Sequence, residues 1–248
     1  YVIFSRLFRH CRQQQQDSEA DLRRHRVALS KTQDAVIIGL TQLAESRDDG
    51  TEGHLDRVGQ LAACLAEAAA RRSDFTAEIT PEFVHLIQIS SALHDIGKVG
   101  IEDSILQKPG RLTDDERRRM QNHTHISSQC LDRIESCLGD ANFLQMAHQI
   151  AFFHHEWWDG TGYPTGLSGQ QIPLAARIVA IADVYDALSA RRVYKNAYPH
   201  EQCLAMITTA SCSQFDPRLV DVFLDCEAQF RAIVSDGAGN ADRVTDAD

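Results

Sequence analysis

The chain has 248 residues, enough for one medium domain with an extension, or two small ones, around a sizeable core. Its hydrophobic and charged fractions, 43% and 24%, are those of an ordinary soluble globular protein. A formal net charge of -10 argues against broad binding to nucleic-acid duplex, so DNA is not an expected partner. A small phosphate ligand stays open, because bound cations reverse a local field.

Seven cysteines without CxxC pairing argue against a zinc ribbon or a disulfide scaffold and for reduced thiols in a cytosol. No stretch approaches the roughly 20 apolar residues of a membrane span. The chain opens on Tyr1 rather than Met, with apolar residues followed by basic ones. Three origins fit that start: the cytosolic edge of a removed anchor, the exit of a removed sensor domain, or a boundary cut within a longer protein.

Residues 11–47 lack Pro, hold a single Gly at Gly39, and predict a long helix, polar at first, with a regular apolar face formed later by Val36, Ile37, Leu40 and Leu43. The polar half reads as a solvated face or a signal-transmitting coiled coil. His54, Val58, Leu61 and Leu65 share one face of the next helix. A helix over Pro81–His94 has proline in its first turn. Thr113-Asp-Asp-Glu116 is a capping box that opens a helix running towards Cys137. Residues 141–155 and 173–190 are predicted helical, with two shorter helices after Pro199 and Pro217. Trp158–Pro173 is a structured loop rich in Gly and Pro. The last thirteen residues, from Asp236, are small and polar and predict an unstructured tail. No run alternates with period two, which predicts an all-α fold. The expected division is an N-terminal helical linker over 1–34, a catalytic domain over 35–232 and a tail over 233–248.

Three features carry chemistry. His94-Asp95 lies at the end of an apolar helix, followed by glycines and Lys98. Imidazole and carboxylate suit a borderline divalent ion, and the carboxylate can bridge two. His154-His155-Glu156 follows another apolar helix. Adjacent histidines on a regular helix point about 100° apart, so reaching one metal requires a helix end, which the loop after them supplies. Asp183 stands in the apolar run Arg177–Asp186, where an unpaired charge would be costly. A metal ion answers that cost; a salt bridge to Arg177 is the structural alternative. His54 and His123 complete the set.

The ordered residues His54, His94-Asp95-Ile-Gly-Lys98, His123, His154-His155-Glu156, Asp159-Gly-Thr-Gly-Tyr-Pro164 and Asp183 resemble the HD-GYP subgroup of HD-domain phosphohydrolases over about residues 40–225. Lys108-Pro-Gly110, Ile172-Pro173, Arg192-Val-Tyr-Lys195 and Phe215-Asp-Pro217 extend the resemblance. It implies an HD-domain helical bundle that hydrolyses the bacterial second messenger cyclic di-GMP to linear pGpG, by a hydroxide activated at two divalent ions, commonly iron or manganese. One ion would take His54, His94, Asp95 and Asp183; the second would share Asp95 and take His123, His154 and His155. Lys98 matches the lysine facing the phosphate, Arg192 and Lys195 match residues that grip substrate phosphates, and the Gly162-Tyr163-Pro164 loop shapes the pocket.

The resemblance also implies an upstream regulatory domain, a homodimer through the N-terminal helix, a GGDEF-type partner and a cytoplasmic catalytic domain, with membrane anchoring of the full-length protein left open. One position departs. Members with a third metal carry a Glu four residues before the first His, and here that position is Gly50. Two ions are therefore expected, with onward cleavage to GMP tied to a third. Cys212 stands where the family has a glycine, before Phe215-Asp-Pro217.

His85, His125, His148 and His200 match no ligand position and read as surface or core residues. Trp157 and Trp158 fit either stacking on guanine or packing at the rim. Two other functions fit the residues: a catalytically silent nucleotide- or protein-binding signalling module, and an HD hydrolase acting on another cyclic dinucleotide.

Overall fold

A computed structural model describes residues 12–25, 39, 41–42, 53–138, 142–190 and 197–244. The chain divides into two units, Tyr1–Leu40 and Thr41–Asp248. In the first, a helix spans residues 12–25 (α1). The apolar half of the long helix expected over 11–47 falls almost entirely outside the described residues, as do Gly50, Arg192 and Lys195.

The second unit is all-α. Among the described residues its only strand-like feature is a single bridge between Ser211 and Phe215. The helices in chain order are α2 (His54–Ala69), α3 (Pro81–Ser90), α4 (Asp103–Leu106), α5 (Asp114–Gln121), α6 (His123–Leu138), α7 (Asn142–Phe153), α8 (Leu174–Ser189), α9 (His200–Thr209), α10 (Pro217–Asp225) and α11 (Glu227–Val244). Two 3-10 turns, Ser91–Leu93 and Ile96–Gly100, lie between α3 and α4.

Local chemistry explains most boundaries. Gly53 starts α2 from the left-handed region at φ 75. The Thr80 hydroxyl accepts the Phe83 amide, with Pro81 in the first turn of α3. The Thr113–Glu116 capping box is formed in both directions, the Glu116 carboxylate accepting the Thr113 amide at 2.7 Å.

The centre of the fold is α8, buried on nearly every side from Leu174 to Leu188. A helix apolar all round belongs in a core. It lies against α2, whose Val58, Leu61 and Leu65 are fully buried, and α7 and α10 pack around the pair.

Three elements differ from the sequence expectation. Helix α3 tightens into a 3-10 turn at Ser91, so His94-Asp95 sits between two 3-10 turns rather than at an α-helix end. The helix expected from Thr113 towards Cys137 is two helices, because the chain bends at Asn122 and restarts at His123. Of the stretch 233–248 expected as a tail, residues 233–244 continue α11. Phe230 anchors it, fully buried with its ring 5.1 Å from Tyr185 and 4.9 Å from Phe223, and Ile233 and Val234 pack beside it. The polar composition that suggested a tail begins one turn after that anchor.

Candidate metal centre

The site forms where α2, α8, the two 3-10 turns, the start of α6 and the end of α7 converge. Two sets of ligand atoms result, each within 4.8 Å of one another: His54, His94 and Asp183; and Asp95, His123, His154 and His155. All seven residues expected as metal ligands are thus brought together, Asp95 grouped with His123, His154 and His155 and also near His94. Its Oδ2 is 3.3 Å from His94 Nε2, and its Oδ1 is 3.2 Å from His123 Nε2 and 3.7 Å from His154 Nε2.

The backbone explains why these side chains converge. The end of α7 at Phe153 lets His154 and His155 leave helical register, and their ring centroids are 3.9 Å apart. Gly97 lets the second 3-10 turn lie directly on α6: a Cβ there would sit 2.0 Å from the His123 carbonyl oxygen and 2.5 Å from the Ser127 amide. The Gly97 amide donates to Ser127 Oγ at 2.8 Å.

Hydrogen bonds fix the imidazoles. His94 Nδ1 donates to the Ser91 carbonyl at 2.8 Å, His123 Nδ1 to Met120 at 2.9 Å and His154 Nδ1 to Ile150 at 3.0 Å. A carbonyl only accepts, so Nδ1 carries the proton and Nε2 turns a lone pair into the site. Among the described residues, the buried side-chain N and O atoms without a hydrogen-bond partner are His94 Nε2, Asp95 Oδ1, His123 Nε2 and His154 Nε2. The 3.2 Å approach of His123 Nε2 to Asp95 lacks hydrogen-bond geometry; two acceptors face each other. Buried polar atoms are otherwise paired, so four orphans pointing at one centre fit divalent cations.

Electrostatics agree. Burial alone would lower the His94 pKa, but Asp95, aided by Asp183, outweighs it and raises the value to about 9. The site therefore calls for positive charge at that Nε2, whether a proton or a metal. Burial and then its histidine neighbours hold His155 well below the usual imidazole value, and burial lowers His154. Neutral imidazole is the ligating form. Burial opposes the Asp95 charge, yet Lys98 and His94 keep its carboxyl well below the carboxylate range. Lys98 Nζ lies 2.8 Å from Asp95 Oδ2.

Asp183 Oδ1 is 3.7 Å from His54 Nε2 and 3.8 Å from His94 Nε2. The alternative salt bridge to Arg177 is absent: Arg177 donates to Asp216 Oδ2 at 2.6 Å and to the Ile172 carbonyl at 2.9 Å. Tyr163 stacks on His155 at 4.7 Å. Its loop is tied down by buried Glu156, which accepts from the Thr165 amide at 2.7 Å, the Thr165 hydroxyl at 2.6 Å and the Gly166 amide at 3.0 Å.

Three of the other histidines have separate partners. His125 packs on Phe152, His148 pairs with Ser128 and His200 bridges Tyr185 and Glu227. Trp158 carries the Arg177 and Arg218 guanidinium groups at 5.9 and 5.8 Å, a packing role. Sequence reasoning gave no role to Arg57 or Asp186, both buried beside His54. The spacings His54/Arg57 and Asp183/Asp186, one turn apart on each helix, were the available signal.

A family model described as HD domain matches residues 40–219. The chain belongs to the HD domain family. Within it, the Gly162-Tyr163-Pro164 loop is that of the HD-GYP subgroup. The chain is 47% identical over 204 residues to a cyclic di-GMP phosphodiesterase of Vibrio cholerae serotype O1, covering 82% of this chain and 42% of that one. A 3'3'-cGAMP-specific phosphodiesterase of the same organism is 37% identical, over 84% of this chain and 37% of its own length. The crystal structure of a cyclic GMP-AMP specific phosphodiesterase of V. cholerae matches with a TM-score of 0.51 at 20% identity, over 77% of this chain and 48% of that one. That likeness is one of fold. The chain spans less than half the length of these relatives. Among the described residues, no helix is long and apolar enough to cross a membrane.

Proposed function

We propose that this chain hydrolyses cyclic di-GMP to linear pGpG in a reaction that needs two divalent cations. The observation that carries the reading is the pair of histidine–aspartate clusters meeting at Asp95, with their unpartnered Nε2 atoms turned inward. The 47% identical phosphodiesterase supports the substrate.

His54, His94 and Asp183 would hold one cation, His123, His154 and His155 the other, and Asp95 both. Bound there, the pair would supply an activated water nucleophile and positive charge facing the scissile phosphate. Iron and manganese fit the mixed imidazole–carboxylate donors. The protein does the rest. The carbonyl-anchored rings keep their lone pairs aimed without reorganisation. Lys98 contributes a fixed charge beside Asp95 for the negative charge that develops on phosphate oxygens. Tyr163, pinned on His155 by the Glu156 clamp, forms one wall. Arg192 and Lys195 are assigned to the substrate phosphates from the resemblance. An upstream regulatory region, a dimer through the N-terminal helix, a GGDEF-type partner and a cytoplasmic location belong to the same reading.

Elemental analysis of anaerobically purified protein, with product identification, is the test. Two iron or manganese ions per chain and release of pGpG are expected; binding without turnover in fully loaded protein overturns the enzyme reading. A metal count of two rests on Gly50, and Gly50→Glu is expected to raise it to three. The 37% identical relative favours a second substrate, 3'3'-cGAMP; a panel of cyclic dinucleotides ranked by kcat/KM separates the two.

A further inference from the structure

Two helices meet beside the metal centre in a matched register. On α2, His54 and Arg57 lie one turn apart; on α8, Asp183 and Asp186 do the same. Packed together, they place the His54 ring between two carboxylates. Its Nε2 faces Asp183 at 3.7 Å, and its Nδ1 lies 2.7 Å from Asp186 Oδ2. Asp186 is fully buried and is gripped by Arg57, whose Nε donates to Oδ1 at 2.6 Å and whose Nη2 donates to Oδ2 at 3.1 Å.

His54 is anchored differently from its neighbours. His94, His123 and His154 each donate Nδ1–H to a carbonyl three or four residues back in their own chain segment. Their orientation comes with the local backbone. His54 is the first residue of α2 and takes its anchor from α8, 132 positions away. An ionised carboxylate only accepts, so it admits only the tautomer with hydrogen on Nδ1 and the lone pair on Nε2. Gly53 leaves room for the network: a Cβ there would come within 3.3 Å of an Arg57 guanidinium nitrogen.

We infer that Asp186, oriented by Arg57, is a positioning residue that fixes the His54 ring and thereby sets the affinity of the His54–His94–Asp183 cluster for a divalent cation, separately from the cluster at His123. The inference rests on the cation reading of the two clusters. An amide in place of the carboxylate can donate to Nδ1, which releases the second tautomer and points an N–H at the cation. Asp186→Glu keeps the charge and the acceptor.

The test titrates Mn2+ into metal-stripped whole chain by competition with a chelator, for wild type, Asp186→Asn and Asp186→Glu, with thermal melting in parallel. In wild type, two ions bind. In Asp186→Asn, one of the two is expected to weaken about 10- to 100-fold, the other keeping its affinity, and Asp186→Glu recovers part of the loss. Equal weakening of both ions, or no change in either, overturns the inference, since a residue that merely ties α2 to α8 would not act on one cluster. If Asp186→Asn does not fold, Arg57→Lys, which keeps the charge but loses the two-pronged grip, gives the same reading: weakening confined to one ion supports the inference, and an equal or absent effect overturns it. A wild type that takes up no Mn2+ overturns the cation reading itself; two unaltered ions in a folded variant overturn the role of Asp186 alone.

Discussion

Lys98 Nζ lies 2.8 Å from Asp95 Oδ2, so the cation assigned to the substrate and the carboxylate shared by both clusters neutralise each other across one turn of 3-10 helix. The pairing separates two kinds of damage. Asp95→Ala removes the carboxylate that faces both clusters, so metal content should fall and turnover should drop by about 10³-fold or more. Lys98→Ala should leave the metals in place and lower turnover by about 10²- to 10³-fold. Elemental analysis beside steady-state rates distinguishes them, and an Asp95→Ala protein with wild-type turnover would refute the site.

Glu156 is a structural clamp on the Gly162-Tyr163-Pro164 loop, accepting from Thr165 and Gly166. Glu156→Ala removes the hydrogen bonds from exposed Thr165 and Gly166 to a buried carboxylate, a loss of about 0.5–1.5 kcal/mol each. In a chain of this size each kcal/mol lowers Tm by about 2–4 °C. We expect a lowered Tm and a raised KM with the metal content unchanged, read by melting curves, kinetics and elemental analysis.

Cys212 is the one non-glycine residue at positive φ among the described residues, at φ 65. This fits the glycine that the resemblance to the HD-GYP subgroup leads one to expect there. A left-handed residue with a Cβ is strained by about 1–2 kcal/mol, while glycine gives back about 0.5–1 kcal/mol through the freedom of its unfolded chain. Cys212→Gly should therefore raise stability by up to about 1 kcal/mol, visible as a higher denaturation midpoint, with kcat/KM unaltered.

The capping box of α5 predicts a pH dependence. The Lys108 ammonium and the Thr113 amide hold the Glu116 carboxyl at about 2, below its ordinary 4.5. A depressed carboxyl stabilises the fold above its unfolded pKa and loses that contribution as pH falls through the folded one. The contribution of Glu116 is thus complete above about pH 4.5 and lost between there and about pH 2. The Tm of wild type should exceed that of Glu116→Gln at neutral pH and converge on it towards pH 2.

Much of this arrangement was legible in the sequence because it is local. The capping box at Thr113 and the proline starts of α3 and α10 involve residues within one turn, and their chemistry is the same in any fold. The apolar face His54–Leu65 and the all-apolar run of α8 announced where helices would be buried. The ligand residue types were legible in the sequence, and the family resemblance they carry implied two clusters. The end of α11 was misread for a related reason: polar composition near the terminus outweighed Phe230, whose aromatic partners Tyr185 and Phe223 are remote in sequence.

By itself, then, the sequence determined helical content, helix starts and the inventory of donors, since periodicity, caps and residue chemistry act over a few residues. Only the tertiary structure decided who faces whom. Asp183 stands beside His54 and His94 instead of Arg177 because Arg177 is engaged by Asp216, 39 positions on. Asp186 acts on His54 because α2 and α8 pack with their polar turns in register. Such pairings depend on which helix faces meet in the core, and burial settles that for the whole chain at once.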